Sequence, residues 1–236
     1  MEAEKQITDF VNSLKLAAGP NLECVALFGS AASGEFHADY SDLNILCVVR
    51  ELSAAELAKL APAIVSWTKS KFPAPLIFSR AELERSADVF AIEMLDVRQR
   101  HRILYGEDIF AGMNVPMDRH RVQLEHELRT KLLTLRQSYV QAAGDDKRVR
   151  RLMLDSISAF STLFRHTLIA MGEQPAPHKA DNIKKLSERA QFDPGIFLKL
   201  LQVRERKAKE NEIEAAAGFA KYLDGINTVV QAVDAL

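Results

Sequence analysis

Residues 25–49 constrain the fold of this chain more than any other stretch. Two apolar runs flank a short polar loop, and the first run ends in Gly29-Ser30. In the second run polar and apolar residues alternate, so Asp42 and Asn44 point to one face of a strand and the apolar residues point to the other. The stretch predicts two strands around a loop, with two oxygen ligands side by side on the second strand.

The dipeptide Gly29-Ser30 has the chemistry of a phosphate cradle. Glycine adopts backbone angles that are closed to other residues. A serine hydroxyl and the amides after it can hold a phosphate, much as helix N-termini and backbone nests do. We therefore expect a phosphate-binding loop that faces a metal-binding strand.

At these residues the chain resembles the nucleotidyltransferase superfamily, which has the DNA polymerase β-like fold. The signature of that family is Gly-Ser, a spacer of about seven to thirteen residues, and Asp-x-Asp, which forms a hard-oxygen Mg²⁺ site. Gly29-Ser30 and Asp42-Leu43-Asn44 match it, and the loop departs from the family's Gly-Ser-x-Ala-Arg-Gly form at Ser33, where the family has Arg. The resemblance implies that Gly29 and Ser30 bind a nucleotide, and that Asp42 and Asn44 are metal ligands and catalytic residues.

The second departure, Asn44, bears on catalysis. An amide oxygen still binds Mg²⁺, but it is neutral, so the site loses one negative charge where two divalent cations must lie within about 4 Å of each other. We therefore expect one Mg²⁺ ion at most.

A third carboxylate is also missing from its expected strand. In the resembled family a strand near residues 76–78 usually supplies one, and Leu76-Ile77-Phe78 offers none. Glu93 and Asp96 are the nearest substitutes in sequence. Their three-residue spacing puts both on one helical face, which is equally the pattern of a solvated helix edge.

Three further polar patterns have two interpretations each. The three arginines of residues 98–102 could bind a triphosphate, because guanidinium groups match phosphate oxygens, or could form a solvated basic edge. Arg121 and His126 superficially match the ribonuclease string of HEPN domains, but five residues put them about 140° apart on a helix. His166 and His178 are interpreted as surface or cap residues.

Composition excludes several classes of function. The chain has 236 residues, 47% of them hydrophobic, and a formal net charge of −1. That is enough for one large or two small globular domains, without the global field that recruits nucleic acid or an anionic membrane. The acidic N-terminus and the lack of a membrane-spanning apolar stretch predict a cytoplasmic protein. Cys24 and Cys47 are expected to be reduced, buried thiols.

The strand signals end at residues 113–116, and helical periodicity follows. We expect an α+β chain with a nucleotidyltransferase-like mixed sheet and flanking helices over 1–115 and an all-α helical bundle over 116–236. This arrangement resembles nucleotidyltransferases of the kanamycin-modifying and HEPN-associated kind. Helices are predicted over 118–143, 147–171, 179–190, 194–206 and 211–235.

Three functions follow from these patterns. The first is a protein that binds Mg–NTP and has weakened or lost transferase activity. The second is an active enzyme that transfers a nucleotidyl group to a small molecule or protein, with Asp42 and either Glu93 or Asp96. The third is a non-catalytic scaffold that acts through the helical bundle, as a homodimer or with a partner. The acceptor and the preferred base are left open.

Overall fold

The computed structural model of the protein describes residues 2–32 and 43–236. The chain divides into two compact units, Met1–Met117 and Asp118–Leu236. The first contains a four-stranded sheet with helices, and the second is helical. The predicted α+β fold class is confirmed.

The first unit alternates helices and strands. Its elements are α1 (Glu2–Ala18), β1 (Leu22–Phe28), β2 (Asn44–Val49), α2 (Ala54–Lys69), β3 (Leu76–Ser79), α3 (Arg80–Ser86), α4 (Ala91–Gln99) and β4 (His101–Gly106). Serine side chains start two of the helices: Ser53 accepts a hydrogen bond from the amide of Glu56, and Ser79 forms a capping box with Glu82.

The sheet is mixed, as expected, with the strand order β3-β2-β1-β4. The central strand β1 is antiparallel to β2 and β4, whereas β2 and β3 are parallel. Phe28 pairs with both Asn44 and His101, and Leu46 pairs with Leu76. The end of β1 and the beginnings of the other three strands therefore meet at one end of the sheet, which we call the Gly29 end.

Each face of the sheet is covered by a different pair of helices. Alternate residues of β1 and β2 pack on α1 and α2, and we call this side the α1 face; it includes Val25, Leu27, Leu43, Ile45 and Cys47 with Phe10 and Trp67. The opposite side, the α4 face, packs on α3 and α4; it includes Cys24, Ala26, Leu46 and Val48 with Leu83, Met94 and Phe110. The strict alternation follows from the two-residue period of a strand.

The second unit consists of five helices in the order that the sequence predicts. They are α5 (His120–Ala142), α6 (Asp146–Ala170), α7 (Lys179–Ala190), α8 (Gly195–Arg204) and α9 (Ala215–Asp234). Helix α6 contacts each of the other four. Its Phe160 and Phe164 lie among Phe197 and Tyr222 in a fully buried aromatic cluster. None of the helices in the described ranges has both the length and the apolar character needed to span a bilayer.

One prediction for this unit is wrong, because His166 is completely buried rather than at the surface. Its Nδ1 lies 2.9 Å from Nε2 of His120, and its Nε2 lies 3.0 Å from a guanidinium nitrogen of Arg165. Arginine only donates, so His166 accepts at Nε2 and donates from Nδ1 to His120. This chain of hydrogen bonds from Arg165 to His166 to His120 requires both histidine rings to be neutral. Burial, together with the nearby His166, lowers the pKa of His120 to about 4.

Candidate functional site

The turn that follows β1 has the backbone conformation predicted for a phosphate cradle. Gly29 has φ +76°, in the left-handed region that favours glycine. A short 3₁₀ turn covers Gly29–Ala31, and the amide of Ala32 donates to the carbonyl of Gly29 at 3.1 Å. The chain therefore reverses sharply where the sequence places Gly29-Ser30.

Asn44 lies directly beside this turn. It is the first residue of β2 and pairs with Phe28, the last residue of β1. The Asn44 side-chain nitrogen is 3.2 Å from the position that a Cβ on Gly29 would occupy. Since Leu43 and Ile45 are buried in the α1 face, Asn44 belongs to the α4 face, as its alternation predicts.

The orientation of the Asn44 amide determines what this corner can bind. The NH₂ group, a donor, is the end nearest Gly29. A donor next to a glycine turn stabilises an anionic phosphate oxygen, whereas a carboxylate at the same point would repel the phosphate unless a cation lay between them. An amide at this point can therefore present its NH₂ group to a phosphate oxygen and its carbonyl oxygen to a cation.

Asp42 and Ser33 lie outside the described residues, and the metal-ligand and catalytic roles of Asp42 and Asn44 stay predictions. Among residues 2–32 and 43–236, no group of three or more Asp, Glu, His or Cys side chains is arranged to hold a metal ion. A carboxylate from Asp42 and an amide oxygen from Asn44 would be hard oxygen ligands with one negative charge between them. Such a pair suits one Mg²⁺ ion better than two.

The neighbouring strand β3 brings apolar side chains to this face. Leu76 pairs with Leu46 and Phe78 with Val48, so both belong to the α4 face. The strand carries no carboxylate, in agreement with its sequence. Glu93 and Asp96 are both in α4, which packs on this face, and both are half-buried.

The arginines of residues 98–102 do not act as one cluster. Arg98 donates to the carbonyl of Met113 at 3.3 Å. Arg102 pairs with Leu27, which places it on the α1 face, and it bonds both carboxylate oxygens of Glu4 at 3.0 Å. Since Arg102 and Asn44 lie on opposite faces of the sheet, the structure favours the interpretation of a basic edge over a triphosphate clamp.

His101, which no sequence pattern singles out, follows α4 at the Gly29 end of the sheet. Its Nδ1 lies 2.6 Å from the carbonyl of Val97, and its Nε2 lies 3.1 Å from Asp108. Burial acts to raise the pKa of Asp108, but hydrogen bonds from the amides of Phe110 and Ala111 and from His101 outweigh it, and the pKa is lowered. The His101–Asp108 pair fixes the segment after β4 and leaves neither ring nitrogen open to a substrate.

The two thiols are buried and protonated. Cys24 is buried in the α4 face and Cys47 in the α1 face, so the two side chains point to opposite sides of the sheet, and both are buried as expected. Burial raises the pKa of Cys24 to about 11 and that of Cys47 to about 12. Both are therefore protonated thiols at neutral pH.

Comparison with known proteins shows a nucleotidyltransferase-like fold. The chain is similar to the crystal structure of spectinomycin adenyltransferase AAD(9) from Enterococcus faecialis with ATP and spectinomycin, with a TM-score of 0.63 and 16% identity over 98% of this chain and 99% of that one. A toxin–antitoxin crystal structure with AMP-PNP matches 43% of this chain and 74% of its own, with 20% identity and a TM-score of 0.30. No family profile and no curated protein matches the chain. The fold predicted from Gly29-Ser30 and Asp42 is confirmed.

Proposed function

We propose that this protein binds a nucleoside triphosphate at the Gly29 end of its sheet and has weakened or lost nucleotidyl transfer. Gly29 and Ser30 hold the phosphates. Asp42 and Asn44, the two predicted catalytic positions, supply the ligands for one Mg²⁺ ion. The likeness of the whole chain to an adenyltransferase solved with ATP supports ATP as the nucleotide.

The observation that carries the proposal is the contact between Asn44 and Gly29. The two residues of the motif farthest apart in sequence are neighbours in space, with the Asn44 amide nitrogen 3.2 Å from a Cβ position on Gly29. This nearness supports a site that still accepts phosphate. The neutral amide, together with apolar Leu76 on the next strand, removes negative charge that two catalytic cations need.

Mg²⁺ at Asp42 and Asn44 would neutralise phosphate charge. The residues of this chain do the rest of the binding: the Gly29 turn presents backbone amides, and the Asn44 NH₂ group donates to a phosphate oxygen. Without the second cation, the site still stabilises the bound nucleotide. It stabilises the transition state of transfer little more than it stabilises the bound nucleotide. Binding should therefore survive better than transfer.

A second candidate is an active transferase, favoured by the position of α4. Glu93 and Asp96 are half-buried on a helix that packs on the same face as Asn44. Either carboxylate could replace the missing one. The acceptor would then be a small molecule, by analogy with the spectinomycin of the similar structure, or a protein.

Binding and transfer must be measured separately to test the proposal. Calorimetric titration with Mg–ATP up to millimolar concentration should give a saturable isotherm. Radiolabelled α-phosphate should remain in nucleotide, with no pyrophosphate released in the presence of candidate acceptors. Absence of binding to all four Mg–NTPs at millimolar concentration would contradict the proposal.

Three variants show which carboxylates take part in transfer if pyrophosphate is released. Asp42→Ala should abolish release in either case. Glu93→Gln and Asp96→Asn should abolish it only if that carboxylate completes the active site. His126→Gln, an exposed change on α5, is the matched control and should leave release unchanged.

A further inference from the structure

We infer that the base of a nucleotide bound at the Gly29 end lies on an apolar platform formed by Leu76, Phe78 and Phe90. The inference rests on the proposed function, because the phosphates must be held at Gly29 for the base to reach this platform. It assigns a ligand to the part of the α4 face where β3 and the beginning of α4 meet. It also predicts a class of preferred nucleotide.

The sheet register brings the platform next to the phosphate site. Asn44 and Leu46 follow each other on the α4 face of β2, and Leu76 pairs with Leu46 on β3. Residues two apart along a strand are separated by about 7 Å, and neighbouring strands by about 4.8 Å. Leu76 is therefore about 8 Å from Asn44 at the level of the backbone, a span that a nucleoside attached to a phosphate covers.

Aromatic side chains continue this surface. Phe78 follows Leu76 on the same face of β3, and its ring meets that of Phe90 edge-on, with 6.0 Å between centroids and 67° between planes. This contact holds the Phe90 ring in place by the favoured T-shaped geometry. Helix α4 begins immediately after Phe90, so its position is also fixed by the backbone.

Two of the three side chains are open to solvent although they are apolar. Leu76 is 37% exposed and Phe90 is 42% exposed. The register of β2 and β3 places Leu76 near Asn44, which belongs to the polar cradle. The site thus passes from a polar corner at Gly29 and Asn44 to an apolar and aromatic surface. A nucleotide has the same two parts, a charged triphosphate and a flat base, so a nucleotide is favoured as the occupant over a second protein.

The chemistry of the platform predicts its preference among bases. The three side chains have no hydrogen-bonding group, so the affinity for a base depends on the apolar area that the base covers and on stacking. A purine covers more of such a surface than a pyrimidine does. We expect ATP and GTP to bind with similar affinity, and UTP and CTP more weakly.

The test compares nucleotides with inorganic triphosphate, which has the phosphates and no base. In calorimetric titrations with Mg²⁺, the protein should bind ATP more tightly than triphosphate. Phe90→Ala and Leu76→Ala should each weaken ATP about tenfold, in line with base–aromatic contacts, and leave triphosphate affinity unchanged. Leu57→Ala is the matched control, because Leu57 is 41% exposed on α2, and it should change neither affinity.

Each other outcome overturns the inference in a recognisable way. If ATP and triphosphate bind equally and neither variant changes them, the phosphate site stands and the platform does not. If a variant weakens both ligands equally, the side chain supports the fold rather than the base. If it instead alters the oligomeric state in sedimentation without changing ATP affinity, the surface serves another copy of the chain. If neither ligand binds the unaltered protein, the proposed function itself fails.

Discussion

Gly29 and Gly106 have nearly the same φ, +76° and +80°, near opposite ends of β1. Their surroundings differ sharply. A Cβ on Gly106, which pairs with Cys24, would lie 1.9 Å from the carbonyl oxygen of Glu23, a backbone atom. Among the described residues, a Cβ on Gly29 would lie closest to the side-chain nitrogen of Asn44, at 3.2 Å.

The difference separates a glycine required by packing from one that leaves room for a ligand. At the Gly106 end the space is filled by protein, and Glu23 forms ion pairs with Arg50 and Arg80. At the Gly29 end, within the part of the chain that the structure describes, the nearest neighbour is the Asn44 side chain, which can move. The same backbone requirement therefore serves the fold at one end and, in our proposal, the ligand at the other.

The largest effect is expected for Gly106→Ala. The new methyl group cannot be accommodated without a backbone shift, and the left-handed conformation adds strain, so the free energy of unfolding should fall by about 3 kcal/mol or more. Urea denaturation measures this directly. Gly112→Ala, where a Cβ would have no neighbour within 4 Å, is the control. A loss below about 1 kcal/mol for Gly106→Ala would break the contrast between the two ends.

A buried polar group in the second unit should affect stability and not nucleotide binding. The folded-state pKa of His120, about 4, is below its ordinary value of 6.5, so the unfolded chain binds a proton first as the pH falls. The stabilisation is fully present above pH 6.5 and is lost progressively down to pH 4. It amounts to about 3 kcal/mol, at about 1.4 kcal/mol per pKa unit.

Chemical denaturation between pH 4 and pH 7 tests this sign. His120→Gln keeps an acceptor for His166 and removes the titrating ring, so its unfolding free energy should decline less towards pH 4 than that of the unaltered protein. His126→Gln, at an exposed position on the same helix, should keep the full decline. Parallel curves for all three proteins would show that His120 does not titrate as its buried position requires.

Gly29→Ala should have a smaller effect on stability and a clear one on binding. Strain from the left-handed backbone costs about 1–2 kcal/mol, and the methyl group presses on the Asn44 amide. Stability should fall by about that amount, whereas Mg–ATP affinity should fall about tenfold or more, because the cradle and its donor both move. A variant that loses stability but binds ATP unchanged would give Gly29 the same purely structural role as Gly106.

The sequence predicted the position of a residue in the fold where that residue belongs to a repeating apolar pattern or a turn motif. Strand alternation placed Asn44 opposite Leu43 and Ile45 correctly, because each side of the sheet has its own apolar core. Helical periodicity located the five helices of the second unit to within a few residues. The Gly-Ser motif located the sharp turn, since few residues other than glycine adopt its backbone angles.

Polar residues in the interior were not predictable in this way. His166 was assigned to the surface because a histidine is usually solvated, and only the positions of His120 and Arg165 show how its nitrogens are satisfied when buried. The arginines of residues 98–102 lie close together in sequence, but Arg98 is in α4 and bonds to Met113, whereas Arg102 is in β4 on the α1 face and bonds to Glu4. The apolar platform was missed because the nearness of Leu76 to Asn44 depends on the pairing of β3 with β2, and the contact between Phe78 and Phe90 joins residues of different elements.

The central claim is that Asn44 leaves a nucleotide site with room for one metal ion. Electron paramagnetic resonance of Mn²⁺, titrated into the protein saturated with ATP, counts bound ions directly. We predict one ion per chain for the unaltered protein and a second, or at least tenfold tighter binding, for Asn44→Asp, since that change restores a negative charge at the second ligand position. Two tightly bound ions in the unaltered protein would contradict the account.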